Sequence, residues 1–329
     1  FELCRLSNAT LILGSATPDV ETYYRATAGE IELLNMPERI TEDGHSSMPE
    51  VKVIDLREEL KAGNRSIFSR TLQQEIAGAL HKKEQVILFL NRRGGATFVQ
   101  CRNCGYVVSC RRCRVSLSYH PDEEKLVCHH CNWRQPVPES CPECTSKRIK
   151  YLGLGTQGVE AEIARLYPQA KVLRWDSDTT QLKNTHTSYM EKMLERGADI
   201  LIGTQMIAKG MDFPGVSVVG VVNADTGINQ QAFRSGERTF SLLCQVAGRA
   251  GRGNTAGKVI IQSYSPDHYA IQAAARHDYQ SFFNTEIACR RSLNQPPFSR
   301  LARLIYSHTN DELCRREAVR VKFELNETS

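Results

Sequence analysis

The sequence predicts an α/β fold, with helices on both faces of a parallel sheet and a cysteine-rich insert within it. Short apolar runs alternate with amphipathic helical segments, and this rhythm is typical of a parallel sheet. The insert is predicted by four Cys-x-x-Cys pairs between Cys101 and Cys144. A chain of 329 residues with 41% hydrophobic and 24% charged residues is typical of about two globular domains.

The predicted strands are short and rich in apolar residues, and residues 85–90 form a continuous apolar run of the kind buried in a parallel sheet. They cover residues 10–14, 51–55, 85–90, 171–175, 199–205, 216–222, 258–262 and, in a further domain, 301–307. The predicted helices cover residues 20–28, 69–82, 159–167, 189–196, 240–247 and 269–289. Because no apolar run reaches about 18 residues, no transmembrane helix is predicted.

The four cysteine pairs predict two Cys4 zinc sites, because a tetrahedral structural zinc ion takes two such turns. The candidate ligands are Cys101, Cys104, Cys110, Cys113, Cys128, Cys131, Cys141 and Cys144. The spacers of 5, 14 and 9 residues allow sequential, interleaved or nested pairing of the turns and do not rank them.

Two other chemistries use the same cysteines. Disulfides are disfavoured because thiols two residues apart, in a chain with no signal peptide, are typical of metal ligands. Iron–sulfur ligation stays an alternative. His129 and His130 lie between ligands, and we expect both on the surface, because eight cysteines complete two sites without them.

Positive charge is concentrated around the insert. Residues 92–150 contain eleven Lys or Arg against five Asp or Glu, whereas the whole chain has a net charge of only +5. Clustered cations attract a phosphate backbone, although a charged surface is more often simply solvated.

Three loops are candidates for phosphate contact. The run Asn91-Arg92-Arg93-Gly94-Gly95 follows a predicted strand and suits an anion. The glycine turn at residues 153–158 also fits a strand-to-helix turn on a phosphate backbone, and the dinucleotide alternative lacks other support. In Ser15-Ala16-Thr17-Pro18 the small hydroxyl residues suit contact with a phosphate or a neighbouring loop. The alternative is a turn in which Thr17 or Asp19 caps the next helix.

In combination, the loops resemble motifs III, V and VI of superfamily 2 helicases. The matching segments are Ser15-Ala16-Thr17, then Gly203-Thr204-Gln205 with Lys209-Gly210-Met211-Asp212, and then the run from Gln245 to Arg252. The form Gln-x-x-Gly-Arg-x-Gly-Arg is the most discriminating. A helix would present Arg249 and Arg252 on one side, three residues apart, and we expect them at the carboxyl edge of the sheet. Two guanidinium groups suit the charge of a transferring phosphoryl group.

The cysteine-rich insert narrows the resemblance to the PriA family of replication-restart helicases, also called primosomal protein N′. Further matching segments are Asn91-Arg92-Arg93-Gly94, residues 153–157, residues 178–180, residues 203–210 and Phe233-Arg234-Ser235. The resemblance runs from Gly14 to about Pro297. It implies a RecA-like lobe, the second lobe of a helicase of the P-loop NTPase type.

The resemblance also implies an activity and its partners. We expect an ATP-dependent DNA helicase that moves 3′ to 5′, recognises stalled forks and initiates primosome assembly, with Zn2+ and ATP with Mg2+ as cofactors. Expected partners are forked DNA, primosome proteins, single-stranded-DNA-binding protein and the loader of the replicative helicase. The expected location is the bacterial cytoplasm, at the nucleoid. In that family the zinc pairs are nested, so that Cys101, Cys104, Cys141 and Cys144 share one ion.

By the same resemblance each motif residue has a role. Arg249, Arg252 and Gln245 are expected to act on ATP, with Gly210 and Asp212 at the nucleotide. Arg92, Arg93, Thr204 and Gln205 are expected to hold DNA. Ser15 and Thr17 are expected to couple closure of the nucleotide cleft to movement on DNA.

The sequence contains no G-x-x-x-x-G-K-[ST] loop and no Asp-Glu-x-His. We therefore expect an excerpt of a longer protein that does not hydrolyse ATP alone. The expected divisions are the end of a first lobe with its linker (1–40), the second lobe (41–100 and 146–274), the zinc insert (101–145) and the start of a C-terminal domain (275–329). The alternatives are a different superfamily 2 translocase and a non-enzymatic zinc-ribbon adaptor for nucleic acid or protein.

Overall fold

The computed structural model describes most of the chain. The described residues are 1–36, 48–91, 97–112, 115–120, 123–129, 131–152, 155–175, 185–204, 213–230, 232–251, 257–302 and 304–327. They divide into one unit from Phe1 to Ala288 and a second from Cys289 to Ser329.

The larger unit contains two sheets. The strands are β1 Glu50–Asp55, β2 Gln85–Leu90, β3 Thr97–Cys101, β4 Ser118–His120, β5 Lys125–Val127, β6 Arg134–Pro136, β7 Ile149–Leu152, β8 Val172–Trp175, β9 Ile200–Gly203, β10 Val216–Asn223 and β11 Lys258–Ser263. The helices among the described residues are α1 Glu2–Ser7, α2 Val20–Thr27, α3 Leu56–Lys61, α4 Arg70–His81, α5 Thr156–Leu166, α6 Thr185–Leu194, α7 Asp225–Ile228, α8 Ser235–Ala247, α9 Tyr269–Ala275, α10 Tyr279–Ser292 and α11 Asp311–Glu327.

The first sheet has six strands in the order β1-β11-β10-β2-β9-β8, and every pairing is parallel. Alternate residues of its strands enter two separate cores. Phe89 and Val221 pack with α8, α9 and α10, whereas Leu88 and Ile202 pack with α4 and α5. The sheet is therefore covered on both faces, and the predicted fold class is confirmed. We call the sheet and these helices the parallel-sheet lobe.

The second sheet has five short antiparallel strands in the order β6-β5-β4-β3-β7. The strands of this sheet lie within residues 97–152, and we call this region the cysteine-rich subdomain. The subdomain leaves the lobe after β2 and returns through β7 to α5. Because β2 ends at the carboxyl edge of the parallel sheet, the subdomain lies at that edge.

Most of the predicted helices and strands are present, several with starts that differ by a few residues. The apolar run at residues 10–14 was predicted as a strand and is not one; Ile12 is 86% exposed. A β-strand needs a partner edge, and among the described residues this run pairs with no strand. The same reason applies to residues 301–307, where Leu301, Leu304 and Ile305 are exposed. The predicted helix at 269–289 is instead two helices, α9 and α10.

In the smaller unit, the described part consists of the end of α10, a turned segment and α11. The Arg290 guanidinium is buried and donates a hydrogen bond to the carbonyl of Pro296. Along the described residues, every helix is too short or too polar to cross a membrane.

Candidate functional site

The cysteine turns of the subdomain share one backbone pattern. In each, the N–H of the first cysteine donates to the carbonyl five residues later, in the pairs Cys101–Tyr106, Cys110–Val115, Cys128–Trp133 and Cys141–Ser146. The turn needs a left-handed residue, and Gly105, Asn132 and Thr145 have positive φ at the corresponding positions. Each turn therefore presents its thiols from a closed loop of backbone.

The first and fourth turns meet in space. The Sγ atoms of Cys101, Cys104, Cys141 and Cys144 all lie within 4.8 Å of one another. The distances are 3.6 Å from Cys101 to Cys144 and 3.6 Å from Cys104 to Cys141, well beyond a disulfide bond of about 2.05 Å. Four sulfurs about 2.3 Å from one zinc ion stand about 3.8 Å apart, so these residues fit a tetrahedral site.

The second cluster contains thiols from the two middle turns. Cys110, Cys128 and Cys131 form a group, with 3.6 Å between the Sγ atoms of Cys110 and Cys131. Cys113 lies outside the described residues. The described cysteines thus have the grouping of the nested arrangement.

Strand pairing explains this grouping. The strand before the first turn, β3, pairs antiparallel with β7, the strand after the fourth turn, with Cys101 opposite Ile149. The ends of the subdomain therefore lie side by side. The β4–β5 hairpin brings the second and third turns together in the same way.

The thiols of the first cluster differ in pKa. Desolvation raises the pKa of the Cys104 thiol to about 12, whereas hydrogen bonds from the Ser146 N–H and the Asn103 amide lower the pKa of Cys144 to about 6. A divalent cation held between the four sulfurs would favour the thiolate form of each. His129 is exposed and lies 3.3 Å from His120, ring nitrogen to ring nitrogen, and His130 lies outside the described residues.

The second candidate site lies along α8, the helix that precedes the predicted arginine pair. The Oγ1 atom of Thr17 is 2.9 Å from the Oγ atom of Ser241, and the Gln245 amide donates to the same Oγ atom at 3.0 Å. Asp19, not Thr17, caps α2 by accepting from the Thr22 N–H. Thr17 is therefore available to join α8.

Further contacts attach the segment before and within α2 to α8. Arg234 pairs with Glu21, and the Glu237 carboxylate accepts from the Val20 N–H at 3.1 Å. The Tyr279 hydroxyl donates to the carbonyl of Pro18 at 2.8 Å. A cavity of about 290 Å³ lies between these elements; Thr17, Asp19, Arg234, Arg238 and Gln245 are in its lining.

Arg249 does not lie on the helix as expected. Because α8 ends at Ala247 with Gly248 as its C-cap, Arg249 lies in the following turn, half-buried, with its N–H donating to the carbonyl of Val246. Two residues on, the Gly251 N–H donates to the carbonyl of Val216, at the start of β10. The turn that contains Arg249 thus lies at the amino edge of the sheet, because α8 runs back across the sheet. The expectation that Arg249 lies at the carboxyl edge is therefore wrong.

Of the residues predicted to bind DNA, the structure describes Thr204, and this residue lies at the carboxyl edge. Thr204 directly follows β9, and Asn91 directly follows β2; these strands pair in parallel, with Phe89 opposite Gly203. Ser15 accepts from the Thr17 N–H at 3.1 Å and is exposed. Other predicted site residues lie outside the described residues, namely Arg92, Arg93, Gln205, Gly210, Asp212 and Arg252.

Comparison with known proteins agrees with this architecture. A family model described as the PriA DNA helicase Cys-rich region matches residues 110–136, and the helicase conserved C-terminal domain matches residues 145–254. The replication restart protein PriA of Bacillus subtilis is 49% identical over 298 residues, which cover 91% of this chain and 37% of that protein. The chain belongs to the PriA family. The family resemblance predicted from the sequence is confirmed.

A second PriA relative and one solved structure have lower sequence identity to this chain. The PriA protein of Synechocystis is 44% identical over 314 residues, covering 93% of this chain and 37% of that relative. The chain thus spans well under half the length of these two PriA-family relatives. Among solved structures, S. cerevisiae Dbp5 bound to RNA and ADP BeF3 has 13% identity and a TM-score of 0.37, covering 88% of this chain and 57% of that one.

Sequence reasoning missed Ser241, Arg234 and Glu237 as site residues. Ser241 and Glu237 lie four and eight residues before Gln245. Residues four apart on a helix share a face, so α8 itself carried the signal that these polar side chains lie with Gln245.

Proposed function

We propose that this chain is the second motor lobe, with its zinc-binding insert, of an ATP-dependent DNA helicase of replication restart that moves 3′ to 5′. The observation that carries the proposal is the chain of contacts from Thr17 through Ser241 to Gln245. It joins two helicase motifs, more than two hundred residues apart, on the helix that leads to Arg249. PriA-family membership supports the same activity.

In this proposal the nucleotide lies against the side of the lobe that α8 forms. Arg249 and Arg252 stabilise charge on the transferring phosphoryl group, and Gln245 positions them. Gly210 and Asp212 lie at the nucleotide. The P-loop lysine and the acidic residues that hold Mg2+ belong to a first lobe outside this chain, so the chain alone does not hydrolyse ATP.

DNA binds at the carboxyl edge of the parallel sheet. Arg92, Arg93, Thr204 and Gln205 contact its backbone, and contacts of this type do not depend on base sequence. Ser15 and Thr17 transmit closure of the nucleotide cleft to the DNA side through α8. The parallel pairing of β2 with β9 supports this placement, because Asn91 and Thr204 follow those strands at one edge.

Two zinc ions hold the cysteine-rich subdomain together. Cys101, Cys104, Cys141 and Cys144 bind the first, and Cys110, Cys113, Cys128 and Cys131 bind the second. Four thiolates leave no open position, so each ion is structural and supplies folding free energy rather than a reactive water.

The biological setting follows the family. We propose that the protein acts in the bacterial cytoplasm, at the nucleoid, on stalled forks, where it initiates primosome assembly. Its partners are primosome proteins, single-stranded-DNA-binding protein and the loader of the replicative helicase. We also propose the domain boundaries given above: 1–40, 41–100, 101–145, 146–274 and 275–329.

The experiment is Arg249→Ala in the full-length protein. DNA-stimulated ATP hydrolysis should fall by about 100-fold or more, because the guanidinium stabilises transition-state charge. The matched control is Arg165→Ala, which removes an exposed arginine that pairs with Glu162 on α5 and should leave the rate unchanged. An undiminished rate in Arg249→Ala would exclude the proposed mechanism.

A further inference from the structure

The cysteine-rich subdomain contacts the parallel-sheet lobe through the short helix α7. Asp225, the first residue of α7, is fully buried at the end of β10. One of its carboxylate oxygens, Oδ2, accepts from the Tyr264 N–H at 2.8 Å, and Oδ1 accepts from the Gln100 amide at 3.3 Å. Tyr264 follows β11 of the lobe, whereas Gln100 lies on β3 of the subdomain. One buried side chain therefore bonds both regions.

A second bond leaves the other end of α7. The Ser116 hydroxyl of the subdomain donates to the carbonyl of Asn229, the residue that caps α7. Both ends of the helix are thus attached to the subdomain.

The junction is closely packed around these bonds. Gly105 of the first cysteine turn has φ +83°, and a Cβ atom there would lie 2.5 Å from the carbonyl oxygen of Tyr264. The Gln100 amide also donates to the Gly105 carbonyl at 3.1 Å. Phe98 of the subdomain packs with Leu56 and Tyr264 of the lobe.

On its other side α7 packs against α8. A Cβ atom at Gly227 would lie 2.5 Å from the Thr239 Oγ1 atom of α8 and 2.1 Å from the Asn91 amide nitrogen. The helix α8 also carries Ser241 and Gln245. Gly227 therefore lets α7 lie in close contact with α8, and this contact places α7 to respond to a shift of α8.

We infer that α7 couples the motor lobe to the cysteine-rich subdomain, with Asp225 and Ser116 as positioning residues for strand separation. This inference rests on the proposed helicase function and deepens it. Movement of α8 on ATP hydrolysis displaces α7, and the bonds of α7 to Gln100 and Ser116 carry the displacement into the subdomain. The subdomain and the lobe then act on DNA as one body.

The test measures base pairs separated per ATP hydrolysed in the full-length protein. Ser116→Ala removes the bond to Asn229 and should lower this ratio about threefold or more while DNA-stimulated ATP hydrolysis and zinc content stay at wild-type values. The matched control is Ser109→Ala, since among the described residues the Ser109 hydroxyl bonds within the subdomain, to the carbonyl of Val107. An unchanged ratio in Ser116→Ala, or an equal loss in both variants, overturns the inference.

A second variant tests the buried carboxylate without changing its bulk. Asp225→Asn replaces one of the two oxygens that accept from the Tyr264 N–H and the Gln100 amide with an NH2 group, and should lower the ratio while DNA-stimulated ATP hydrolysis and zinc content stay at wild-type values. A ratio equal to that of the wild type would show that Asp225 has only a structural role. If Asp225→Asn does not fold, the comparison of Ser116→Ala with Ser109→Ala still tests the inference.

Hydrogen exchange separates failure of this inference from failure of the proposed function. In the full-length protein, Ser116→Ala should increase exchange of amides in β3 and the first cysteine turn, whether or not the protein hydrolyses ATP. A wild-type protein without DNA-stimulated ATP hydrolysis would refute the proposed function. Unchanged exchange in Ser116→Ala would refute the junction alone.

Discussion

The cysteine-rich subdomain and the parallel-sheet lobe differ in what stabilises them. Strands of the subdomain have three to five residues, and among the described residues four of the nine members of its buried core cluster are cysteines: Cys101, Cys110, Cys128 and Cys141. Strands of the lobe have four to eight residues and separate two large apolar cores. We expect a region with so few apolar residues to need metal to fold, whereas the lobe is stabilised by buried apolar area.

Among the changes considered, metal removal should produce the largest difference in stability between the subdomain and the lobe. A chelator should unfold the subdomain, because structural zinc supplies on the order of 10 kcal/mol to folding, and should leave the lobe folded. Hydrogen exchange resolved by peptide would follow both regions at once. Cys141→Ser should weaken the subdomain in the same way, whereas Cys4→Ser, outside the clusters, should not. Persistent protection of β3 and β7 after complete metal removal would contradict the comparison.

A substitution in the apolar core of the lobe should destabilise the lobe and leave the cysteine-rich subdomain unchanged. Phe89 is fully buried in the lobe, and Phe89→Ala should lower the free energy of unfolding of the lobe by about 3–5 kcal/mol while zinc content stays the same. Phe323→Ala removes the same side chain from a position that is 64% exposed and should change stability by less than about 0.5 kcal/mol. Chemical denaturation, with zinc analysis of the folded protein, makes both measurements.

Acid should destabilise the lobe through His268, which caps α9. Its Nδ1 atom accepts from the Ala270 N–H at 3.2 Å, and burial lowers the pKa of His268 to about 4. The unfolded chain then binds a proton more readily than the folded one, so stability falls as the pH drops from about 6.5 to about 4. The loss is at most about 3 kcal/mol.

His268→Asn keeps a capping acceptor and should flatten this dependence in denaturation curves measured across that pH range. Burial lowers the pKa of His277 as well, so the slope should decrease rather than vanish. A slope that is the same in His268→Asn and wild type would exclude the explanation.

Sequence patterns predicted what is local and left open what depends on distant partners. Residues 85–90 were predicted with the bounds that the structure has, because a continuous apolar run specifies a buried strand. The helix predicted at residues 69–82 was expected to begin at Ser69 or Thr71, and Ser69 caps it by accepting from the Leu72 N–H. Residues 10–14 also carry an apolar run, yet form no strand, because pairing is decided elsewhere in the chain.

The site shows the same limit. Spacing identified the cysteines but not their grouping, which depends on pairing between β3 and β7, 43 residues apart from Cys101 to Cys144. The arginine run identified Arg249 but not its place at the amino edge. The junction at α7 had no sequence signal, because a four-residue helix is too short to show periodicity. The role of Asp225 also depends on hydrogen bonds from Gln100 and Tyr264, which are distant in the sequence.

The most direct test of this division between metal and apolar core is the metal content of the purified protein. Elemental analysis should find about two zinc ions per chain, one for each pair of cysteine turns. One zinc ion per chain, no metal, or iron in place of zinc would contradict the account.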